Sequence, residues 1–242
     1  RCAALGVLGY LKNPAELPDI ARIAGSDADA EARRIAVGAL GFASDPASTK
    51  TALAYTLKRL GTDYVDIYRP ARVSPLVPIE DTIGAIADLV KDGYVRHIGL
   101  SEAGTESIRR AHAVHPIVDL QIEYAMITRG VEREILPTLR ELGIGMTAYG
   151  VLSRGLISDS ALAGGSIGAF RAHSPRFQGE NLKSNLDLVR ALKTIADDKG
   201  CTVAQLAIAW VAQRGDDIVP LIGARKRERL AETLGALDIT LS

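Results

Sequence analysis

The chain has 242 residues, of which 47% are hydrophobic and 24% are charged, as in folded globular domains. Lysine plus arginine and aspartate plus glutamate both number 29, so no basic excess favours nucleic acid or an anionic membrane as a partner. No apolar run reaches the roughly 18 residues that span a bilayer, and no secretory signal is recognisable. The two cysteines, Cys2 and Cys201, are too few for a disulfide framework or a zinc site, and they favour a reducing, cytoplasmic compartment.

The first 46 residues contain an internal repeat. Residues 1–15 and 33–47 are identical at seven of fifteen positions when they are offset by 32 residues. Each copy is a short stretch rich in alanine and leucine that ends at an Asn-Pro or Asp-Pro pair, because the residue before proline avoids the helical region. A second helix is predicted over 17–24. The pattern resembles HEAT repeats and favours a helical scaffold or binding surface over 1–46.

From residue 47 onward, stretches with helical periodicity alternate with short apolar runs. Five βα units in strict alternation favour a parallel sheet or barrel with right-handed crossovers. The predicted strands are 64–68, 97–100, 118–122, 145–149 and 218–222. The predicted helices are 49–60, 79–91, 105–113, 131–142, 186–199, 203–213 and 227–237, with a polar, glycine-rich segment over 158–185.

Several motifs occur in a fixed order along this second region. They are LGTDYVDIY, GYVRHIGLSE, LQIEY, AYGVLSRGL, PRFQGENLKSNL, AQLAIAWV and PLIGARKRERLAETLGAL. Together they resemble the aldo-keto reductases, in the branch related to bacterial and yeast pyridoxal-type reductases. The resemblance implies an α/β fold that is a partial TIM-type (β/α)8 barrel, with strands 4–8 of the family over 47–242. An all-α, HEAT-like segment over 1–46 would then precede it as a separate domain, in place of the first three βα units.

The resemblance also implies contacts to the nicotinamide end of a dinucleotide cofactor. It assigns Ser101, Glu102 and Gln121 to the carboxamide group and places the Tyr149 ring against the nicotinamide face. The family more often carries asparagine where this chain has Glu102, so Glu102 lacks the amide donor of that contact.

The last strand–helix junction predicts a phosphate-binding site. Gly223 and Ala224 precede a predicted helix, whose N-terminal N–H groups favour phosphate. Arg225 and Arg229 can add a charge-assisted fork to a 2′-phosphate, which favours NADP over NAD as the cofactor. Two further groups complete the predicted site: Leu152, Ser153 and Arg154, whose backbone N–H groups can face a pyrophosphate, and Glu232 and Thr233, which the resemblance assigns to adenine.

The catalytic residues of the family are not found. Carbonyl reduction by these enzymes requires a tyrosine proton donor held by lysine and aspartate, and a histidine that orients the substrate. The histidine position aligns with Ala71, beside Arg72, and no D-x(3–4)-Y-G pattern occurs in the chain. The histidines that are present fit structural, capping or loop roles: His97, His112, His115 and His173.

Three functions therefore remain open. The first is an NADPH-dependent oxidoreductase that reduces a small aldehyde or ketone. The second is a non-catalytic module that binds NADP. The third is a rearranged or chimeric chain whose helical repeat serves as an interaction segment. In the third case the outer strands of the sheet would have open edges, which predicts self-association. No metal site is predicted.

Overall fold

The computed structural model describes residues 17–26, 46–163, 173–224 and 226–241. They form an α/β fold with a parallel sheet in the order β1-β2-β3-β4-β5, which confirms the predicted fold class. The strands are β1 (Val65–Tyr68), β2 (Val95–Ser101), β3 (Ile117–Glu123), β4 (Gly145–Tyr149) and β5 (Ile218–Pro220). The helices are α1 (Leu17–Ser26), α2 (Pro46–Leu60), α3 (Ile79–Lys91), α4 (Thr105–Val114), α5 (Ile135–Leu142), α6 (Asp159–Leu162), α7 (Gly179–Asp198), α8 (Val203–Ala212) and α9 (Arg227–Leu234).

Helix α1 confirms the helix predicted over 17–24. The repeat copies over 1–15 and 33–47 lie outside the described residues, except for the last two positions, so the HEAT-like segment and the boundary at residue 46 stay predictions. The chain divides into two compact units. The first comprises residues 1–121 with 138–144, and the second comprises 122–137 with 145–242.

In the first unit, α3 shows how the sequence determines an element. Ile79, Ile83, Ile86 and Leu89 follow one another at three- and four-residue spacing, and each is at most 4% exposed. Acidic residues in the first turn and a lysine in the last turn complement the helix dipole. Gly93, at φ 84°, then supplies the left-handed residue that follows the helix end.

The first unit also fixes the alignment of the three strands that carry candidate site residues. Strand β1 pairs with β2 through Ile67 and His97, and β2 pairs with β3 through Ser101 and Gln121. The carboxyl ends of these parallel strands therefore lie at one edge of the sheet, where ligand sites occur in α/β folds.

The second unit has its own core. Its helix α8 begins with a capping box, in which the Gln205 amide N–H donates to the Thr202 hydroxyl (3.1 Å) and the Thr202 N–H donates to the Gln205 side chain (3.0 Å). Leu206 and Ala207 of α8 pack with Val189 of α7 in this core.

Several predicted elements differ from the structure. Helix α7 begins at Gly179, inside the polar, glycine-rich segment over 158–185, because Leu182 and Leu186 continue its apolar face onto the core. That segment also contains α6 and a 3₁₀ turn over Pro175–Phe177. The helix predicted over 131–142 is a 3₁₀ turn followed by α5. The helix predicted over 227–237 ends at Leu234, and the strand predicted over 218–222 ends at Pro220.

Strand β5 and the residue after it expose apolar side chains. Val219 is 62% exposed and Leu221 is 49% exposed. Edge strands with apolar side chains favour pairing with another chain, so self-association stays a prediction of this sheet. No helix within the described ranges is long and apolar enough to cross a membrane.

Candidate cofactor site

The first unit brings together the three residues assigned to the carboxamide. Ser101 is the last residue of β2 and is buried, and its register partner in β3 is Gln121. Glu102 follows directly, and its amide N–H donates to the Gln121 carbonyl (3.0 Å). Ser101, Glu102 and Gln121 therefore form one group at the carboxyl ends of β2 and β3, as predicted for a site on the loops that follow the strands.

Glu102 has a left-handed backbone, at φ 54°. This conformation costs an L-residue with a Cβ roughly 1–2 kcal/mol, and asparagine and glycine adopt it more readily than glutamate. Strain of this kind persists where the surrounding structure fixes the backbone, and here the hydrogen bond to the Gln121 carbonyl does so. The geometry explains why asparagine suits this position.

We expect Glu102→Asn to raise the free energy of unfolding by about 1 kcal/mol, because asparagine relieves the left-handed strain. The corresponding rise in Tm is about 2–4 °C for a chain of this size. Thermal unfolding followed by circular dichroism measures it. Glu106→Asn is the matched control, since Glu106 is exposed on the first turn of α4 and asparagine lowers helix stability there. An unchanged or lower Tm for Glu102→Asn would contradict the strain argument.

The loop after β4 is a tight turn with an unusual backbone. Ser153 and Arg154 both have positive φ (47° and 62°), and Gly150 and Gly155 flank them with φ 70° and 87°. The Ser153 amide, predicted to face a pyrophosphate, donates instead to the Gly150 carbonyl (2.6 Å) and closes the turn. The Ser153 hydroxyl is buried and has no partner in the described part of the chain, which is the kind of polar atom that a ligand can satisfy.

A cavity of about 830 Å³ lies within the second unit. Its volume is in the range of small-molecule and cofactor sites. Five residues of the predicted cofactor site line it, together with seven that the sequence did not single out. The first set is Leu152, Gly223, Arg229, Glu232 and Thr233, and the second is Gly155, Ser158, Ser160, Ala204, Ile208, Ile222 and Lys226.

The start of α9 supplies the positive charge of this cavity. Lys226 is the residue before the helix, and Arg229 lies in its first turn. Arg229 donates to the Glu232 carboxylate (2.7 Å), which also accepts a hydrogen bond from the Thr202 hydroxyl (3.2 Å). The Glu232 carboxylate is 24% exposed, so it anchors the more exposed Arg229 guanidinium at the cavity rim. Two cations and one carboxylate leave this end of the cavity positive.

The remaining predicted residues fall in three places. Tyr149 ends β4, half-buried, and its carbonyl accepts a hydrogen bond from the Tyr124 amide (3.1 Å). Ala224 follows β5 and is not among the cavity-lining residues. Arg225 lies outside the described residues.

An ion pair that no sequence motif indicated joins the end of β1 to β3. Arg69, directly after β1, donates through Nε to the Asp119 carboxylate of β3 (2.5 Å). The two residues are fifty positions apart, and only the strand register brings them together. Among the described residues, no three histidine, cysteine, aspartate or glutamate side chains cluster as metal ligands.

Comparison with known proteins identifies the family of the chain. The family model described as the aldo/keto reductase family matches residues 35–242. A curated relative, a probable aldo-keto reductase 1 of Glycine max, is 45% identical over 188 residues, which cover 77% of this chain and 54% of that protein. The chain thus spans about half the length of this relative.

Two solved structures share the fold. The glycerol dehydrogenase of Gluconobacter oxydans matches with a TM-score of 0.78 and 25% identity, over 82% of this chain and 61% of that one. A thermostable aldo-keto reductase, solved in complex with the inhibitor epalrestat, matches with a TM-score of 0.68 and 24% identity, over 95% of this chain and 85% of that one.

The fold and the residues at its strand ends define a parallel α/β protein of the class that binds ligands on the loops after the strands. The chain belongs to the aldo/keto reductase family of oxidoreductases. The family model begins at residue 35, twelve positions before the region in which the sequence motifs were recognised.

Proposed function

We propose that this chain binds NADP(H) and belongs to an oxidoreductase that reduces a small aldehyde or ketone. The observation that carries the proposal is the cavity of about 830 Å³ at the start of α9, lined by Gly223, Lys226 and Arg229. A helix N-terminus with two cations suits a phosphate. When bound, NADPH supplies the hydride for carbonyl reduction.

The preference for NADP over NAD rests on Arg229. A guanidinium forms charge-assisted, forked hydrogen bonds with phosphate oxygens, and NADP differs from NAD by a 2′-phosphate. Glu232 holds Arg229 at the cavity rim, so the guanidinium is oriented before any ligand arrives. Thr233 lines the same cavity and, with Glu232, supports the assignment of this end to adenine.

We expect Arg229→Ala to weaken NADPH binding about 10- to 100-fold and to leave NADH binding nearly unchanged, because the lost hydrogen bonds to a charged group are worth about 1.5–3 kcal/mol. Titration of intrinsic fluorescence with each nucleotide measures both affinities. Arg227→Ala is the matched control, since Arg227 is exposed on the same helix but does not line the cavity. Equal NADPH and NADH affinities in the unaltered chain would count against Arg229 as a phosphate ligand.

Catalytic turnover is a separate question, because the position of the substrate-orienting histidine carries Ala71, which has no hydrogen-bond donor in its side chain. This observation favours the second candidate, a module that binds NADP(H) without reducing a substrate. Oxidation of NADPH in the presence of pyridoxal or 4-nitrobenzaldehyde distinguishes the two. Turnover above background supports the reductase, whereas NADPH binding without turnover supports the non-catalytic module.

A further inference from the structure

In the first unit, one sheet face carries a polar stretch near the carboxyl ends of β2 and β3. Side chains alternate along a strand, so Gly99 and Ser101 of β2 share a face with their register partners Asp119 and Gln121 of β3. The opposite face of the same strands is apolar and fully buried, with Ile98, Leu100 and Leu120 each 0% exposed. The polar residues are therefore confined to one side of these strands, while the other side belongs to the apolar core.

The Arg69 side chain crosses this polar face over Gly99. A Cβ at Gly99 would lie 2.8 Å from Arg69 Cγ and 3.1 Å from Arg69 Nε, so only glycine allows the side chain to lie there. Its Nε contacts the Asp119 carboxylate at 2.5 Å, and Arg69 and Asp119 are 27% and 10% exposed. This contact holds the Nε atom of the guanidinium against β3.

A second guanidinium lies at the same end. Arg72 follows Arg69 by three residues, and its Nη1 lies 3.4 Å from the Ser101 hydroxyl and 2.6 Å from the Ala71 carbonyl. Ser101 is one of the residues assigned to the nicotinamide carboxamide. Arg72 is thus close to the place where a substrate would have to approach the cofactor.

We propose that Arg69 and Arg72 form a recognition site for a carboxylate group, and that the substrate is an aldehyde or ketone that also carries a carboxylate. The planar guanidinium fork matches carboxylate geometry. Only the identification of this ligand as the substrate rests on the proposed function. The carboxylate site itself rests on the contacts of Arg69 and Arg72.

Two carboxylates belong to the same region and set the charge balance. Asp119 forms an ion pair with Arg69, and Glu102 follows Ser101 at the end of β2. Glu102 therefore opposes the binding of an anion at this end of the sheet, by Coulomb repulsion between like charges. Removal of the Glu102 charge is therefore expected to strengthen anion binding, whereas removal of an arginine is expected to weaken it.

Oxalate is the probe, titrated into the full chain by isothermal calorimetry with ionic strength held constant by sodium chloride. We expect Arg72→Ala to weaken oxalate binding at least tenfold and Glu102→Gln to strengthen it severalfold. Arg96→Ala is the matched control, because Arg96 pairs with the exposed Asp66 near the amino end of β2. The double variant Arg69→Gln/Asp119→Asn removes both charges and keeps two amides that can hydrogen-bond to each other, and it is expected to weaken oxalate binding about tenfold.

The measured oxalate and NADPH affinities test the carboxylate site and the proposed function separately. Absence of oxalate binding, or equal affinities for Arg72→Ala and the unaltered chain, would overturn the proposal, as would an equal loss in Arg96→Ala. Arg229→Ala should lose NADPH affinity and retain oxalate affinity. If oxalate binds and NADPH does not, the proposed function fails while the carboxylate site stands. The reverse result leaves the proposed function and removes this site.

Discussion

Replacement of Glu132 by alanine is expected to lower the free energy of unfolding by about 2–3 kcal/mol. The Tyr124 hydroxyl is part of a fully buried side chain and donates to the Glu132 carboxylate (2.6 Å). Arg129 donates to the same carboxylate through Nε (3.0 Å) and Nη2 (2.9 Å). Without Glu132, the buried hydroxyl loses its acceptor, which is the costly part of the change.

The cluster around Glu132 extends to the single tryptophan of the chain. The Trp210 ring lies 5.4 Å from the Tyr124 ring, and the guanidinium groups of Arg129 and Arg214 lie 5.4 Å and 5.2 Å from the centre of the Trp210 ring. Arg214 also approaches the Glu132 carboxylate at 3.8 Å. Denaturant unfolding followed by Trp210 fluorescence therefore reports directly on this cluster.

Glu132 also makes a pH-dependent contribution to stability. The hydrogen bond from Arg129 is the main reason that the pKa of Glu132 lies below its ordinary value, and the Tyr124 hydroxyl adds to the effect. A depressed pKa means that the stabilisation is present above the ordinary glutamate value of about 4.3 and is lost as the pH falls through the lower folded-state pKa. The difference in stability between Glu132→Ala and the unaltered chain should therefore shrink in acid.

Two controls separate the cluster from a general surface effect. Glu134→Gln changes an exposed glutamate two positions away and should leave stability within about 0.5 kcal/mol. In a double-mutant cycle, Tyr124→Phe combined with Glu132→Ala should cost less than the sum of the single changes, because the buried hydroxyl no longer needs an acceptor. Additive losses would show that the contact between Tyr124 and Glu132 does not stabilise the fold.

Gly99→Ala is expected to cost about 3 kcal/mol of folding free energy. The added methyl group would lie 2.8 Å from Arg69 Cγ and 3.1 Å from Ile67 Cγ2, so the Arg69 side chain must move. That movement breaks its contact with the Asp119 carboxylate, which is only 10% exposed. Urea denaturation measures the loss.

Gly84→Ala provides a control with the opposite sign. Gly84 lies inside α3, and apart from its own helix backbone no atom of the described residues lies within 4 Å of a Cβ placed there. Alanine in a helix interior is favoured over glycine by about 1 kcal/mol, so this variant should be more stable than the unaltered chain. If both glycine variants shifted stability in the same direction, steric crowding at Gly99 would not be the cause.

Local periodicity predicted most of the second region. The strand over 145–149 and the helix over 79–91 have the predicted bounds, because uninterrupted apolar patterns and clear end signals define them. The first turns of α7 were missed, since their glycine and asparagine residues obscured the apolar spacing of Leu182 and Leu186. For the candidate site, the motifs predicted five of the residues that line the cavity, among them Gly223 and Arg229. Lys226 lies in the same motif but was not assigned to the cofactor.

The sequence alone determined the family, the βα alternation and the residues at the strand ends, because each of these depends on the order of motifs and the spacing of apolar residues along the chain. Only the tertiary structure decided which distant side chains meet. The contact of Arg69 with Asp119 across Gly99 depends on strand register, and the left-handed backbone of Glu102 depends on its bond to the Gln121 carbonyl. Such pairings arise from close approach between strands, which a periodic pattern within one segment does not encode.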